Sequence, residues 1–546
     1  MPKIEIPLKD FLPLAELENT DNLESLLESL KAELDGLSRD TVKIELNDTN
    51  RPDLWTSEGV ARGIRCLKNG AEPHLKSMKD PVHHIEVDDS LAEIRPYIAA
   101  FTATGWVVDD AGLESLITAQ EKIASGFGKE RKTAAIGFYP LDRISFPVSY
   151  STSSPDTVFH PLGEETAMTL HDVLLHTETG QKYAEILSGF RKFPLLTDTT
   201  GAVLSFPPVL NSSTTGRVTS GDSGLFCEVT GTDWHTVNLT ATILACNLED
   251  RGAVISRVEI IYPGGKTTVT PVIYSDTLTA AFDEISEILG EDAGELDIRA
   301  LLSKMDYSEI DVGENSVTAV MPPYRRDGIH PRDLMEDIVI AIGLNNIKPV
   351  LPSDYTVGSA APVEILARSV KALLVGAGCE EVMRPVLTSF EKISTLTRTP
   401  EPPVKISNPM TAEYGVVSNT LLPALLEVES SSGHAAFPHR LFTVGEVLRR
   451  TDGRFCTTEV NLAVTAGDSD FGSVHSILGI ICHLRGLALS LRPVDDPRFI
   501  PGRSAAVLIN GEEKGILGEF HPGVLEAWGI TVPVAGFELP LESLKV

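Results

Sequence analysis

Pro322-Pro323-Tyr324-Arg325-Arg326-Asp327-Gly328-Ile329-His330-Pro331-Arg332-Asp333-Leu334-Met335-Glu336-Asp337 is the densest stretch of chemistry-bearing residues in the chain. Pro331 suits the first turn of a helix, because its missing N–H would have had no partner there. Asp333, Glu336 and Asp337 then fall near the N-terminus of that helix. At about 100° per residue they are expected on one face, opposite a stripe of Leu334, Met335, Ile338 and Ile342. The turn through Gly328 allows a fourth carboxylate, Asp327, to approach the same place. Hard divalent cations take oxygen ligands, and magnesium commonly uses one or two carboxylates while keeping several waters. The four carboxylates therefore form a candidate magnesium site, with ligands acting directly or through water. A solvated acidic face is the alternative, since negative charge favours a helix N-terminus without any metal.

Upstream of this helix, Glu309-Ile310-Asp311-Val312 and Ser316-Val317-Thr318-Ala319-Val320 flank Gly313-Glu314-Asn315, which predicts a hairpin. Residues 268–347 thus read as a small helical domain with a β-wing. Pro349-Val350-Leu351-Pro352-Ser353-Asp354 closes it as a linker. The remainder, 355–546, alternates helices with apolar strands such as Arg440 to Leu448, as expected for an antiparallel sheet flanked by helices.

Towards the N-terminus, residues 85–265 mix helices such as Leu113 to Ile123 with short strands such as Val254 to Ile261, an α/β or α+β pattern. The Ser/Thr/Gly-rich loop Asn211 to Gly224 leads into Leu225-Phe226-Cys227-Glu228-Val229-Thr230. Glu228 and Thr230, two apart on a strand, point to one face and could orient a water or a polar ligand. The following Thr-Gly-Thr-Asp is also common turn chemistry, so a strand-and-turn role is open as well. His83-His84 reads as a loop, and His171 and His176 are five apart rather than the four of a helical metal pair. Residues 1–80 read as α+β. Asp21 and Glu24 have capping-box spacing, and Leu23, Leu26, Leu27, Leu30 and Leu34 predict a helix running to Gly36. Val42, Ile44 and Leu46 alternate as a strand. The turn-rich Asn47 to Trp55 then precedes an amphipathic helix from Ser57 to Lys68.

With 546 residues the chain is expected to hold three or four domains. Its 42% hydrophobic and 23% charged content excludes wholesale disorder. No apolar run approaches the roughly 20 residues of a membrane helix, and Met1-Pro2-Lys3-Ile4-Glu5 does not read as an export signal. Six scattered cysteines without a C-x-x-C pair argue against a zinc ribbon or disulfide framework and fit a reducing cytoplasm. The net charge of −31 repels polyanions overall, so contact with nucleic acid needs a local basic patch or a partner chain. Neither a phosphate-binding G-x-x-x-x-G-K-[ST] loop nor a G-x-S-x-G elbow occurs. A free-standing magnesium phosphohydrolase would therefore explain only one segment.

Several stretches together give the chain a resemblance along essentially its whole length to the β subunits of phenylalanyl-tRNA synthetases, of the shorter archaeal and eukaryotic kind. They are Asn47 to Trp55, Phe226 to Asp233, Arg326 to Asp337, Ile406-Ser407-Asn408-Pro409, Leu421-Leu422-Pro423, Val444-Gly445-Glu446-Val447, and Leu517-Gly518-Glu519-Phe520-His521-Pro522. The resemblance implies a cytoplasmic heterotetramer of two α and two β chains, charging tRNA(Phe) with phenylalanine at the expense of ATP. The aminoacylation site then lies in the α subunit, with no catalytic residue for that step in this chain. It implies an editing domain over 85–265, a winged-helix-like domain over 268–347, and a noncatalytic class II synthetase-like core over 355–546. Asp327, Asp333, Glu336 and Asp337 match the family's magnesium pattern, in a site shared with the α subunit. Two departures stand out. Ser418-Asn419-Thr420-Leu421-Leu422-Pro423 and Gly536-Phe537-Glu538-Leu539 lack the arginines of catalytic cores, and Glu228 stands where relatives commonly carry aspartate. A hydrophobic pocket cannot strongly reject an analogue that only adds a hydroxyl, so a second site that bonds that hydroxyl is expected. Glu228 is expected to accept the tyrosine hydroxyl, with Thr230 and Asn211 lining the pocket and water attacking the ester. An assembly scaffold with an inactive editing domain is the competing expectation.

Overall fold

Alternation of apolar and charged residues in Thr41–Leu46 buries Val42, Ile44 and Leu46 and leaves Lys43 in water. That strand is the centre of a three-stranded antiparallel sheet between Lys3–Pro7 and Ala32–Leu37 in a computed structural model that describes residues 2–451 and 455–545. The helix Ser57–Asn69 follows, with the Thr56 side chain accepting from Gly59 N and Gly70 ending it at a φ of 88°. The leucine spacing from Leu23 overstates its helix, which covers only Leu23–Glu28. Lys31 takes a left-handed φ of 55°, and the chain then pairs as a strand, Ala32 opposite Leu46 and Leu34 opposite Ile44. Leucines spaced 3 and 4 apart also satisfy a turn followed by an edge strand, and here the sheet partner decides. Asn22 rather than Asp21 precedes the helix, and no side-chain cap forms.

The chain divides into two units, 1–351 and 352–546. A ten-stranded mixed sheet dominates the first. Tyr97–Thr104 runs between Gly224–Gly231 and Val254–Tyr262, and Ala135–Pro140 pairs with the far side of Gly224–Gly231. Strand alternation turns Cys227 and Val229 towards the buried helix Trp234–Asp250. The even residues Phe226, Glu228 and Thr230 face the other way. An antiparallel run of Phe193–Thr197, Val203–Phe206 and Leu210–Asn211 extends the sheet and sets Asn211 opposite Ser205. His83 and His84 lie within the strand Lys79–Val87 and not in a loop, with His83 stacked on Phe146 at 3.9 Å. His171 and His176 share the short helix Leu170–His176.

Also in the first unit, Thr277–Ala281, Ser316–Val320 and Ser308–Val312 form a three-stranded antiparallel sheet, and the expected hairpin turns at Gly313-Glu314-Asn315. Helices Phe282–Leu289, Ile298–Lys304 and Pro331–Ile342 pack on it through Ile285, Leu302, Leu334 and Ile338. His330 caps the last helix, and Pro331 holds its first position as expected.

The second unit is built on a seven-stranded sheet whose two longest strands, Arg440–Thr451 and Phe455–Gly467, pair antiparallel over their length. Helices Pro362–Gly376 and Phe471–Leu484 share one core with it, through Val370, Leu374, Val474 and Leu478. Leu422–Ser431 and Pro522–Trp528 share another, through Leu425, Leu426 and Trp528. Among the described residues no helix is long and apolar enough to cross a membrane. The six cysteines are all free thiols, five of them buried.

Candidate functional site

The strand Gly224–Gly231 carries Glu228 and Thr230 into one cavity of about 310 Å³, whose wall also includes Asn211. The helix Asp110–Ser125 closes one side with Leu116 and Gln120, and Ser205, Phe206 and Val209 close another. Glu228 is 3% exposed. Its Oε1 accepts from the Tyr139 hydroxyl at 2.9 Å, while Oε2 is buried without a hydrogen-bond partner. Burial pushes its carboxyl up to about 7, against the pull of the Tyr139 hydrogen bond and the Arg95 charge. Asn211 sits beside this pair, with Tyr139 Oη 3.4 Å from its Oδ1. Burial, and then the neighbouring Glu228 carboxylate, hold the Tyr139 phenol well above its ordinary range, so it stays a donor. The cavity is thus largely apolar and is lined by a carboxylate with one oxygen unpartnered, a combination suited to a ligand that is mostly hydrocarbon and ends in one hydroxyl.

Sequence reasoning missed four contributors. Ser205 interrupts the otherwise apolar Val203-Leu204-Ser205-Phe206 and lines the cavity, and that interruption was its signal. Tyr139 sits in an apolar run where nothing separates it from a core residue. Arg131 reaches the cavity wall with Nη1 2.9 Å from the Val209 carbonyl and its guanidinium over the Tyr183 ring at 4.3 Å. Arg95 lies buried behind Thr230.

The four carboxylates of the Asp327 to Asp337 stretch also line one cavity, of about 40 Å³, joined by Asp48, Asn50, Lys31, Arg51 and Arg325. The chain's own donors hold each of them. Arg325 grips Asp327 with two hydrogen bonds of 3.0 and 2.7 Å, and its Nη1 lies 2.8 Å from Asp337. Burial works against ionised Asp327, yet the Arg325 charge and hydrogen bonds prevail and bring its carboxyl to about 2. Tyr307 donates to Asp337 at 2.8 Å, and Asp333 caps the helix by accepting from Ile329 N and His330 N, both at 2.8 Å. Lys31 bonds Glu336 at 2.6 Å. Asp337, expected on the wet face, is 5% exposed and points inward, because Tyr307 and Arg325 offer it partners there. Among the described residues no three His, Cys, Asp or Glu side chains are spaced to hold a metal ion. The donor chemistry suits magnesium, but an ion here has to replace Lys31 at Glu336.

In the second unit Glu538 is buried and fully occupied. It accepts from Thr420 Oγ1, from Leu421 N at 3.0 Å and from Asn461 Nδ2 at 2.7 Å. This ties the Ser418 to Pro423 segment to the Gly536 to Leu539 strand through a carboxylate that spends its lone pairs on the fold.

A beta subunit of phenylalanine-tRNA ligase from Pyrococcus furiosus is 36% identical to this chain, over 100% of both sequences. The chain belongs to the phenylalanine-tRNA ligase beta-subunit family. Family members from Thermococcus gammatolerans and Borrelia recurrentis are 35% and 34% identical, again along 100% of this chain and 99% and 100% of their own. The tRNA synthetase B5 domain matches residues 278–344, the stretch that carries the four carboxylates. The phenylalanyl tRNA synthetase beta chain CLM domain matches 347–541. An N-terminal fragment of the family member from Pyrococcus horikoshii is similar at a TM-score of 0.60 and 33% identity, covering 63% of this chain and 100% of that fragment.

Proposed function

We propose that this β subunit supports ATP-dependent charging of tRNA(Phe) by an α subunit that holds the aminoacylation site, in a cytoplasmic assembly of two α and two β chains. In this reading its own chemistry is the hydrolysis of mischarged Tyr-tRNA(Phe) in the Glu228 cavity. The division of labour follows the segments 1–80, 85–265 for editing, 268–347 winged-helix-like, and 355–546 as a noncatalytic class II synthetase-like core.

The observation that carries the editing reading is Glu228, a buried carboxylate that lines a cavity of amino-acid size with one oxygen held by Tyr139 and the other without a hydrogen-bond partner. A tyrosine side chain seated there donates its hydroxyl to Oε2, whereas phenylalanine leaves that oxygen unsatisfied. Failing to pair a buried acceptor costs about 1–3 kcal/mol, which gives the site its selectivity. Thr230 and Asn211 supply the polar contacts beside it. Water then adds to the ester carbonyl carbon, the bond to the ribose oxygen breaks, and that oxygen leaves with a proton as free tRNA and tyrosine separate. No side-chain nucleophile is required.

Asp327, Asp333, Glu336 and Asp337 are the proposed ligands of a magnesium ion shared with the α subunit, acting directly or through water. Bound there, the ion supplies positive charge that the cluster otherwise draws from Lys31, Arg51 and Arg325. Calorimetric titration of the assembled protein is expected to show saturable magnesium binding that Glu336→Gln weakens.

The test of editing is deacylation of Tyr-tRNA(Phe) by the assembled complex. Wild type is expected to hydrolyse it, and Glu228→Ala to lose about 10-fold or more, the effect of removing a selective hydrogen bond. An unchanged rate in Glu228→Ala rejects the assignment, and an inert wild type leaves the assembly scaffold as the function.

A further inference from the structure

Arg95 is 1% exposed, yet no carboxylate stands within ion-pair distance of it among the described residues. Buried arginines are almost always matched by an anion, because an unmatched charge in the interior is costly. This one spends its donors on neutral oxygens. Nη1 reaches the Arg131 and Lys132 carbonyls at 3.0 and 3.2 Å, Nη2 reaches the Thr230 carbonyl, and Nε reaches Thr230 Oγ1 at 3.1 Å. The Tyr150 hydroxyl in turn donates to the Arg95 carbonyl at 2.9 Å. The whole arrangement lies directly behind the Thr230 side of the Glu228 cavity.

Two consequences follow from that placement. A hydroxyl that accepts from Nε has its proton left to give, so Thr230, which lines the cavity and lies beside the Tyr150 hydroxyl, is left as a donor. Glu228 and Thr230 are two residues apart on one strand face, about 7 Å, and the charge of Arg95, bonded to Thr230, acts on the Glu228 carboxylate. We propose that Arg95 is a positioning residue of the editing cavity, fixing Thr230 as a hydrogen-bond donor to the aminoacyl ester and placing an unpaired positive charge behind Glu228. The inference rests on the editing reading of that cavity and assigns to it a residue that never touches the ligand.

Glu228 is faced by Tyr139 from Ala135–Pro140, by Tyr150 from Val148–Ser153 and by Arg95, with Cys227 on its own strand and Glu121, Arg131 and Arg217 farther round the cavity wall. Of the cations among the described residues only Arg95 acts on it strongly enough to oppose its burial. Removing that cation disfavours the carboxylate, so the acid limb of the hydrolysis profile moves to higher pH.

The experiment is single-turnover hydrolysis of Tyr-tRNA(Phe) by the assembled α and β complex across a pH series, with phenylalanine charging in the same preparations as the report on assembly. Arg95→Met is expected to slow hydrolysis about 10-fold or more near pH 7 and to shift the acid limb upward. Arg95→Lys restores the charge but not the fork, so the limb returns while the rate stays low. In a Thr230→Val background Arg95→Lys is expected to cost little further, since the two act through one bond. If Arg95→Met does not assemble, Arg95→Lys with Thr230→Val alone decides, and additive losses overturn the proposal. It is equally overturned if the Arg95 variants keep the wild-type rate and pH profile while Glu228→Gln is impaired, a result that leaves the editing reading standing. A wild-type complex that does not deacylate Tyr-tRNA(Phe) removes both.

Discussion

Ionising a carboxyl group in the interior costs free energy unless its oxygens find donors, and Glu228 has one donor for two oxygens. That imbalance is useful to a ligand and harmful to the fold, and its pH dependence can be read without any tRNA. In the unfolded chain a glutamate titrates near 4.5, while in the folded chain Glu228 titrates at about 7. Below the first value both states are protonated and Glu228 leaves stability unchanged. As pH rises between the two values the unfolded state ionises first, so stability falls, and above about 7 the full penalty remains, about 3 kcal/mol. Glu228→Gln is therefore expected to stabilise the protein by up to about 3 kcal/mol at pH 8 and by almost nothing at pH 4, measured as denaturation midpoints at the two values. A gain of equal size at both pH values rules out an ionised, under-bonded Glu228. Asp327 shows the opposite case, held at about 2 by Arg325, so its contribution is present above the ordinary aspartate range and is lost as pH falls through about 2.

Between elements, the Glu228–Tyr139 contact lies against the backbone of the neighbouring strand, and one glycine leaves room for it. Gly137 pairs with Glu228 across the strands, and a Cβ there would lie 2.5 Å from both Glu228 Oε1 and the Tyr139 hydroxyl. Gly137→Ala is thus expected to separate that pair. Overpacking of this kind costs about 1–3 kcal/mol, and deacylation of Tyr-tRNA(Phe) should fall with it although residue 137 offers a ligand no polar side chain. A Gly137→Ala complex that edits at the wild-type rate shows that the Tyr139 contact is dispensable. At this scale the sequence was legible where one period dominates: Thr41–Leu46, Ser57–Asn69, Gly224–Gly231 and the hairpin of Ser308–Val312 with Ser316–Val320 all form as patterned. It misled where a partner distant in sequence decides. Ala32–Leu37 became a strand because Thr41–Leu46 pairs with it, His83 and His84 joined a sheet between two parallel neighbours, and Asp337 turned inward to Tyr307 and Arg325. The carboxylate and threonine of the cavity could be read from i and i+2 spacing alone. Tyr139 and Arg95 could not, since a strand register brings the first to Glu228 and a connection ahead of Tyr97–Thr104 brings the second to Thr230, and only the folded sheet sets both.

Across the first unit, two sequence-distant helices meet on one anion, and one of its cations reaches a third segment. Asp250, at the end of Trp234–Asp250, accepts from Arg62 at 2.8 Å and from Arg65 at 2.6 Å, both on the helix Ser57–Asn69. Arg62 in turn lies 4.3 Å from the centre of the Tyr324 ring, just before the carboxylate stretch. Arg62 is 1% exposed, so deleting Asp250 leaves a guanidinium in the interior with only Asn247 as a side-chain acceptor among the described residues. Breaking such a pair from one side costs about 3–5 kcal/mol, more than any exposed pair on this surface contributes. The loss should also stay local, because residues 352–546 have cores of their own, built on Leu374, Val464 and Phe537 in one and Leu425 and Trp528 in the other. Asp250→Ala is expected to lower amide protection in 57–69 and 234–250 and to leave that of Phe471–Leu484 and Val534–Pro540 unchanged, in peptide-resolved hydrogen exchange of the full chain. Equal loss in both units means that folding is one cooperative event across the 351/352 boundary. No loss in either means that Arg65 and its second partner Glu72 suffice to hold the helix without Asp250.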